Sequence, residues 1–238
     1  MLIKTMEEGF KQLKLPYSSE TENKFIKYRD LLKDWNQKIN ITSIEDDEEI
    51  YVKHFLDSVL LLNEENFNEK KSIIDVGTGG GFPGFPLKIV NDNYIVTLLD
   101  SLRKRIDFLS EVAEVLELKN VELIHGRAED FGQNIKYREK FDICVSRAVA
   151  PLNVLSEYCL PFVKVGGYFA AYKSENISQE IKDSESAINK LGGNVKEIKE
   201  ICLPGTDIVR KIVIIEKFEQ MNNKYPRKAG KPSKDPLI

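Results

Sequence analysis

The run Ile74-Asp75-Val76-Gly77-Thr78-Gly79-Gly80-Gly81-Phe82-Pro83-Gly84 leaves the backbone few options. Ser72 to Ile74 reads as a buried strand, the glycines break it, and an apolar helical run follows from Phe85 to Val90. A chain with so little side chain can turn sharply and lie close against a bulky ligand, with the amides of the next helix facing it. That is the geometry of a nucleotide-type cofactor site. The spacing Gly77-x-Gly79-x-Gly81 differs from the G-x-G-x-x-G of dinucleotide enzymes, and the difference directs the rest of the reading.

From Lys71 onward, strand-like runs at Ser72–Val76, Tyr94–Leu99, Val121–Ile124, Phe141–Val145 and Tyr168–Tyr172 alternate with helix-length patterns, the clearest being Leu102–Leu118. Such alternation predicts an α/β fold, a parallel sheet with helices on both faces. Two more candidates, Val195–Cys202 and Val209–Lys217, are separated only by Leu203 to Ile208. A connection that short holds no crossover helix, so this pair is expected to be antiparallel. A mostly parallel sheet ending in an antiparallel hairpin is the Rossmann-like arrangement of class I S-adenosylmethionine methyltransferases.

The first 65 or so residues read as helical. Ser19-x-x-Glu22 has the form of a capping box, and Phe25, Tyr28, Leu31, Leu32 and Trp35 make one apolar face. Asp46 or Asp47 could cap a further helix with Val52, Phe55, Val59 and Leu62 inward, and His54 beside that face reads as structural. The expected organisation is a helical extension over 1–65, a methyltransferase domain over 66–222 and a basic tail over 223–238.

Charge and cysteines narrow the classes. The net charge of -3, with an acidic run from Glu45 to Glu49, argues against a uniformly basic nucleic-acid binder, so phosphate contacts would need local patches. From Asn223 onward Lys224, Arg227, Lys228, Lys231 and Lys234 face Asp235 alone, and Pro226, Pro232 and Pro236 are expected to prevent regular structure. This tail reads as a solvated end or as an arm that touches phosphates. Cys144, Cys159 and Cys202 fit neither a disulfide framework nor a zinc site, so core thiols of a reduced, cytoplasmic protein are expected, with no metal. No apolar run reaches a membrane span and the N-terminus lacks a signal-type hydrophobic region.

In open α/β sheets ligands sit beyond the carboxyl ends of the strands. Asp100 ends the second strand, 23 positions after Gly77, where a carboxylate can accept from two ribose hydroxyls, although it could also cap the next helix alongside Ser101. After the third strand comes His125-Gly126-Arg127-Ala128-Glu129-Asp130, which could read an adenine edge. After the fourth comes Ser146-Arg147-Ala148-Val149-Ala150-Pro151, where transferable group and substrate would meet. Asp75 beside the loop would repel a pyrophosphate and attract a sulfonium; the alternative role for it is to hold loop amides.

Several motifs together resemble the bacterial 16S ribosomal RNA guanine-N7 methyltransferase family, also called glucose-inhibited division protein B. They are Trp35-Asn36-x-Lys38-Ile39-Asn40-Ile41-Thr42, His54-Phe55-Leu56-Asp57-Ser58, the Asp75 to Pro86 loop, Asp100-Ser101 with Lys104-Arg105, Gly126-Arg127-Ala128-Glu129, Ser146-Arg147-Ala148 and Tyr225-Pro226-Arg227. The resemblance implies S-adenosylmethionine as cofactor, with contacts from Gly77, Phe82, the Ala128-Glu129 pair and Arg147; the glycine loop and the second strand end add Gly79, Asp100 and Ser101 to the expected site. It implies 16S ribosomal RNA or a small-subunit particle as partner, with no membrane and a monomeric working unit. Guanine N7 carries a lone pair and no proton, so its methylation needs approach geometry rather than a general base, and no catalytic residue is assigned. RNA contacts are expected from Lys38, Arg103 to Arg105, Lys173 and the tail. Competing readings are a nicotinamide oxidoreductase, an RNA-binding module without catalysis, and a methyltransferase for protein or a small molecule.

Overall fold

Seven strands make one sheet in the order β3-β2-β1-β4-β5-β7-β6. They are β1 (Ser72–Val76), β2 (Ile95–Asp100), β3 (Val121–His125), β4 (Phe141–Arg147), β5 (Val163–Lys173), β6 (Gly193–Cys202) and β7 (Val209–Lys217). The computed structural model describes residues 2–63, 67, 71–174 and 177–238, with side chains from residue 6. Strands β1 to β5 pair in parallel, and β7 lies antiparallel to both β5 and β6. The expected hairpin is therefore present, with its second strand inserted between β5 and the first. Strand order reverses between β1 and β4, which opens a crevice at their carboxyl ends. The register sets Val76 beside Leu99 and Asp100 beside His125 along one rim.

Two apolar layers cover the sheet. On one face, α5 (Gly84–Val90) and α6 (Arg103–Val115) pack with the N-terminal helices around Val96, Leu98, Phe85 and Phe108. On the other, α7 (Ala128–Gly132), α8 (Leu152–Cys159) and α9 (Ser178–Lys190) close over Ile74, Cys144, Phe169 and Val213. Cys144 and Cys159 are buried and Cys202 is exposed; all three are free thiols. Among the described residues there is no cluster of potential metal ligands, and no helix is long and apolar enough to cross a membrane.

The N-terminal helices have no core of their own. With α1 (Leu2–Gln12) and α2 (Ser19–Asn36), a third helical stretch joins α3 (Asp47–Ile50), a π-helical segment over Tyr51–Leu56, α4 (Asp57–Val59) and a 3-10 turn over Leu60–Asn63. Phe10, Phe25, Tyr28, Phe55 and Val59 are fully buried in the same cluster as Ile73 and Val96 of the sheet. At roughly 1.5–3 kcal/mol for each large apolar side chain buried, the extension and the body stabilise each other. The expected 65/66 boundary lies outside the described residues.

Local expectations need four corrections. The helix cap is Ser18, whose hydroxyl accepts the Thr21 amide at 3.1 Å, so the Ser19-x-x-Glu22 box does not form. Asp46 does cap the third helix, accepting the Glu49 amide at 2.9 Å. Helix α6 stops at Val115 because Glu117 takes a left-handed φ of 52°. Strand β5 begins at Val163, five residues before the expected start, and Gly166 and Gly167 are carried through the strand by a register shift against β4. The proline-spaced tail is not devoid of regular structure either. It contains α10 (Lys231–Lys234), with Pro232 in the first turn, where a missing N–H is tolerated.

Candidate functional site

The glycine loop is pinned at both ends. The amides of Gly77 and Thr78 donate to the Leu99 carbonyl at 2.8 and 3.2 Å, tying the turn to β2. Gly77, Gly79 and Gly81 take φ of 70°, 60° and 91°, the left-handed region that disfavours any side chain. Asp75 is fully buried, and its Oδ2 accepts the Thr78 hydroxyl at 2.7 Å and the Gly84 amide at 2.8 Å. Of the two roles open to Asp75, this is the one that holds the loop. Its Oδ1 is buried without a hydrogen-bond partner, and burial pushes the carboxyl from 3.8 up to about 7.

One strand over, Asp100 is only 3% exposed and faces the same loop. Its Oδ2 accepts the Gly79 amide at 2.9 Å and an Arg105 guanidinium nitrogen at 3.3 Å, while Oδ1 accepts the Leu102 amide at 2.9 Å. Asp100 stands at the crevice and orders the start of α6. A crevice of about 170 Å³ is lined by Gly77, Asp100, Ser101, Ala128 and Glu129 of the expected residues, together with Val149 and Tyr158. Gly79 stands behind Asp100.

Phe82 and Arg147 lie elsewhere. Phe82 is buried in a stack between Tyr28, 5.5 Å away, and His54, 4.6 Å away, and the Tyr28 hydroxyl donates to the Gly80 carbonyl. Arg147 lies over the Phe82 ring at 5.2 Å and faces a second, larger cavity of about 640 Å³. The wide turn of the π segment positions its partners. The Asp57 amide bonds the carbonyls of Val52 and His54 and bypasses that of Lys53, which accepts from Arg147 at 3.0 Å. Asp57 bridges two cations, taking Arg147 on Oδ2 at 2.8 Å and Arg210 on Oδ1 at 3.0 Å.

His54 completes this cluster. Burial, and then the Arg147 charge, lower its pKa from 6.5 to about 3, so the ring is neutral. The Arg147 guanidinium, 3.2 Å from Nδ1, can only donate, which leaves the proton on Nε2 facing Thr42 Oγ1 at 2.8 Å. Both nitrogens are thus committed, in keeping with a structural role. Lys173 is also committed: it bonds the Ala150 carbonyl at 2.8 Å and Glu180 at 2.7 Å and is largely buried, so it is not a free RNA contact. Lys38, Arg103 and Lys104 are exposed as expected.

The two shifted groups pull stability in opposite directions with pH. Asp75 binds its proton more readily folded, so its contribution is fully present below pH 3.8 and lost as pH rises through about 7. His54 refuses its proton when folded, so its contribution is present above pH 6.5 and lost as pH falls toward about 3. Replacing Asp75 with Asn leaves the His54 slope uncompensated. That variant should lose stability faster than the parent on acidification from about pH 7 to about pH 5. Unfolding midpoints measured across this range check it; parallel profiles would contradict the assignment.

Sequence reasoning missed Tyr158, Asp57 and Arg210 as members of these cavities, and named Val149 only within the segment after the fourth strand. Asp57 lay within a quoted motif but carried no chemical signal of its own, and Arg210 approaches it from 153 positions away. Val149 lines the crevice while Ala148 and Ala150 on either side of it line the larger cavity, and a Cβ on Gly77 would come within 2.7 Å of Val149 Cγ2. Its neighbour Ala148 has a left-handed φ of 56° and lines the larger cavity. Asp100, Ser101 and Glu129 bring carboxylate and hydroxyl oxygens to the crevice, the acceptor chemistry that an adenosine-type ligand needs. The crevice alone is below the ~300–1,000 Å³ of sites that enclose such ligands, whereas the two cavities together are not.

Comparison with known proteins bears on the same residues. A family model described as GidB, rRNA small subunit methyltransferase G, matches residues 21–209. Curated proteins named ribosomal RNA small subunit methyltransferase G are 52% identical over 98% of this chain in Alkaliphilus oremlandii and 52% identical over 99% of it in Acetivibrio thermocellus, each with 97% of the relative covered. Among solved structures, a SAM-dependent methyltransferase from Aquifex aeolicus superposes with a TM-score of 0.53 at 19% identity, over 77% of this chain and 97% of that one. M. jannaschii TYW2 in complex with AdoMet gives 0.50 at 18% identity, over 65% and 71%. These structural likenesses bear on the fold alone.

Proposed function

Because the chain belongs to the rRNA small subunit methyltransferase G family, we propose that it transfers a methyl group from S-adenosylmethionine to N7 of a guanine in 16S ribosomal RNA, acting as a cytoplasmic monomer. The observation that carries this reading is the pair of cavities that both meet the β4 exit segment Arg147 to Pro151, at the strand-order reversal. One is flanked by acceptor side chains for a nucleoside, the other by the guanidinium groups of Arg147 and Arg210.

Asp100 and Ser101 would hold the ribose, Ala128 and Glu129 the base, and Gly77 would let the chain of the cofactor pass toward Arg147. When bound, the cofactor supplies an electrophilic methyl carbon on a positively charged sulfur. The acceptor base would enter the larger cavity, where the side chains orient it and exclude water. No proton has to leave N7, and this matches a cavity in which His54 has both nitrogens engaged and is neutral. Arg147 and Arg210 can hold a phosphate or a carboxylate there with directed hydrogen bonds.

Incubation with labelled S-adenosylmethionine and 16S RNA or small-subunit particles, followed by mapping of N7-methylguanine, tests the reading. Transfer should fall sharply between low and moderate salt, since each phosphate contact adds roughly one unit or slightly less to the logarithmic slope. Salt-insensitive transfer would count against RNA as substrate, and binding of NADH in place of S-adenosylhomocysteine would favour an oxidoreductase.

A further inference from the structure

The basic tail folds back across the two helices that wall the nucleoside crevice, and its contacts there are specific. Arg138 receives it, donating to the carbonyls of Tyr225 at 2.7 Å and Met221 at 3.0 Å, and Gln133 donates to the Pro226 carbonyl at 2.8 Å. Arg227 then forks onto Glu157 of α8, with Nε at 2.9 Å from Oε1 and a terminal nitrogen at 2.7 Å from Oε2, while its own amide donates to Oε1 at 2.8 Å. Glu157 is fully buried, so this clasp fills most of its hydrogen-bonding capacity in a place water does not reach. Three residues on, the Gly230 amide donates to Glu129 Oε1 at 2.8 Å, and the Ser233 hydroxyl donates back to the Gly230 carbonyl at 3.2 Å.

Glu129 and Tyr158 both line the crevice, on α7 and α8 respectively. We propose that the tail segment from Arg227 to Ser233 is a positioning strap for the cofactor site: Arg227 locks α8, and the Gly230 amide aims the Glu129 carboxylate so that its second oxygen meets the ligand. The inference rests on the crevice being the nucleoside end of the cofactor site. A glutamate side chain has three rotatable bonds, and at 6% exposure it can face the crevice only if one oxygen is already satisfied. Gly230 supplies that bond from a left-handed φ of 81°, a conformation that aims its amide inward and that other residues rarely adopt. The strap corrects the expectation of a solvated end, and it gives the segment a task other than touching phosphates. Lys228 and Lys234 remain on its outer side, exposed.

The test compares three altered chains with the full protein: one ending at Ala229, Gly230→Pro, which removes the amide proton, and Gly230→Asn, which keeps it, tolerates a left-handed φ better than other side chains and meets no atom within 4 Å at its Cβ. Calorimetric titration with S-adenosylhomocysteine should give about tenfold weaker binding for the first two, with most affinity retained by Gly230→Asn. Amides of 128–132 should exchange faster in those first two chains even without ligand. In turnover the KM for the methyl donor should rise with far smaller change in kcat. Affinity within about twofold of the parent in both the shortened chain and Gly230→Pro, with unchanged exchange at α7, overturns the strap and leaves the functional reading standing. A change confined to RNA affinity overturns it too, in favour of an RNA-binding arm. If the shortened chain does not fold, Gly230→Pro against Gly230→Asn decides alone. Failure of the full chain to bind S-adenosylhomocysteine overturns the functional reading instead.

Discussion

Replacing Asp100 with Asn is expected to weaken binding of S-adenosylhomocysteine about a hundredfold or more, because two losses coincide. The carboxylate that would accept from ribose hydroxyls becomes a neutral amide, and hydrogen bonds to a charged group contribute ~1.5–3 kcal/mol each. Two of them amount to at least a factor of about one hundred at ~1.4 kcal/mol per decade. The same carboxylate now accepts the Gly79 and Leu102 amides on its two oxygens. With Asn, either orientation sets its NH2 group against one of those amide protons, so the glycine loop loosens as well. The replacement therefore reaches beyond the ligand, although the apolar core is untouched and the chain should still fold. Calorimetric titration of the variant and parent measures it, and a difference below about threefold would remove Asp100 from the proposed site.

The second large effect concerns Asp57. It is 3% exposed and carries both Arg147 and Arg210, so Asp57→Ala strands two cations in a mostly enclosed place. Breaking a buried pair by removing one partner costs about 3–5 kcal/mol. At ~2–4 °C per kcal/mol for a chain of this size, the unfolding midpoint should drop by roughly 10 °C. Adding Arg210→Met to the same chain should recover part of the loss, since one unpaired charge is then gone. A drop under about 2 °C, or no recovery in the double variant, would mean that water already compensates these charges.

What could be read beforehand follows physical lines. Strands β1 and β7 match their expected bounds because each is a short apolar run ended by an abrupt change of composition. The crevice residues Gly77, Asp100, Ser101, Ala128 and Glu129 were legible because strand ends in a parallel sheet come together whatever the loops do. Arg147 was placed at the correct strand end, but its direction was not readable: that depends on Lys53 and Asp57, some 90 positions earlier. Phe82 sits in the expected loop yet turns into an aromatic stack assembled from three separate segments. The start of α2 was misplaced by one residue because Ser18 and Ser19 offer the same hydroxyl. Only the extended backbone of Ser18, with φ of -129° and ψ of 162°, distinguishes them. The tail was misjudged because prolines forbid helix interiors but permit first turns, and because Glu157 and Glu129, its anchors, are far away in the chain.

The widened turn over Tyr51–Leu56 has a consequence for how this chain can vary. Loss of a single codon there would let the stretch regularise into ordinary α-helix and would spare most of its apolar contacts. The turns on either side would keep their facing, because a turn closed over five residues becomes one closed over four. What changes is the Lys53 carbonyl, which would be drawn back into the helix ladder and away from Arg147. An in-frame deletion that leaves the core intact would thus remove one of the acceptors by which the extension holds the wall of the larger cavity.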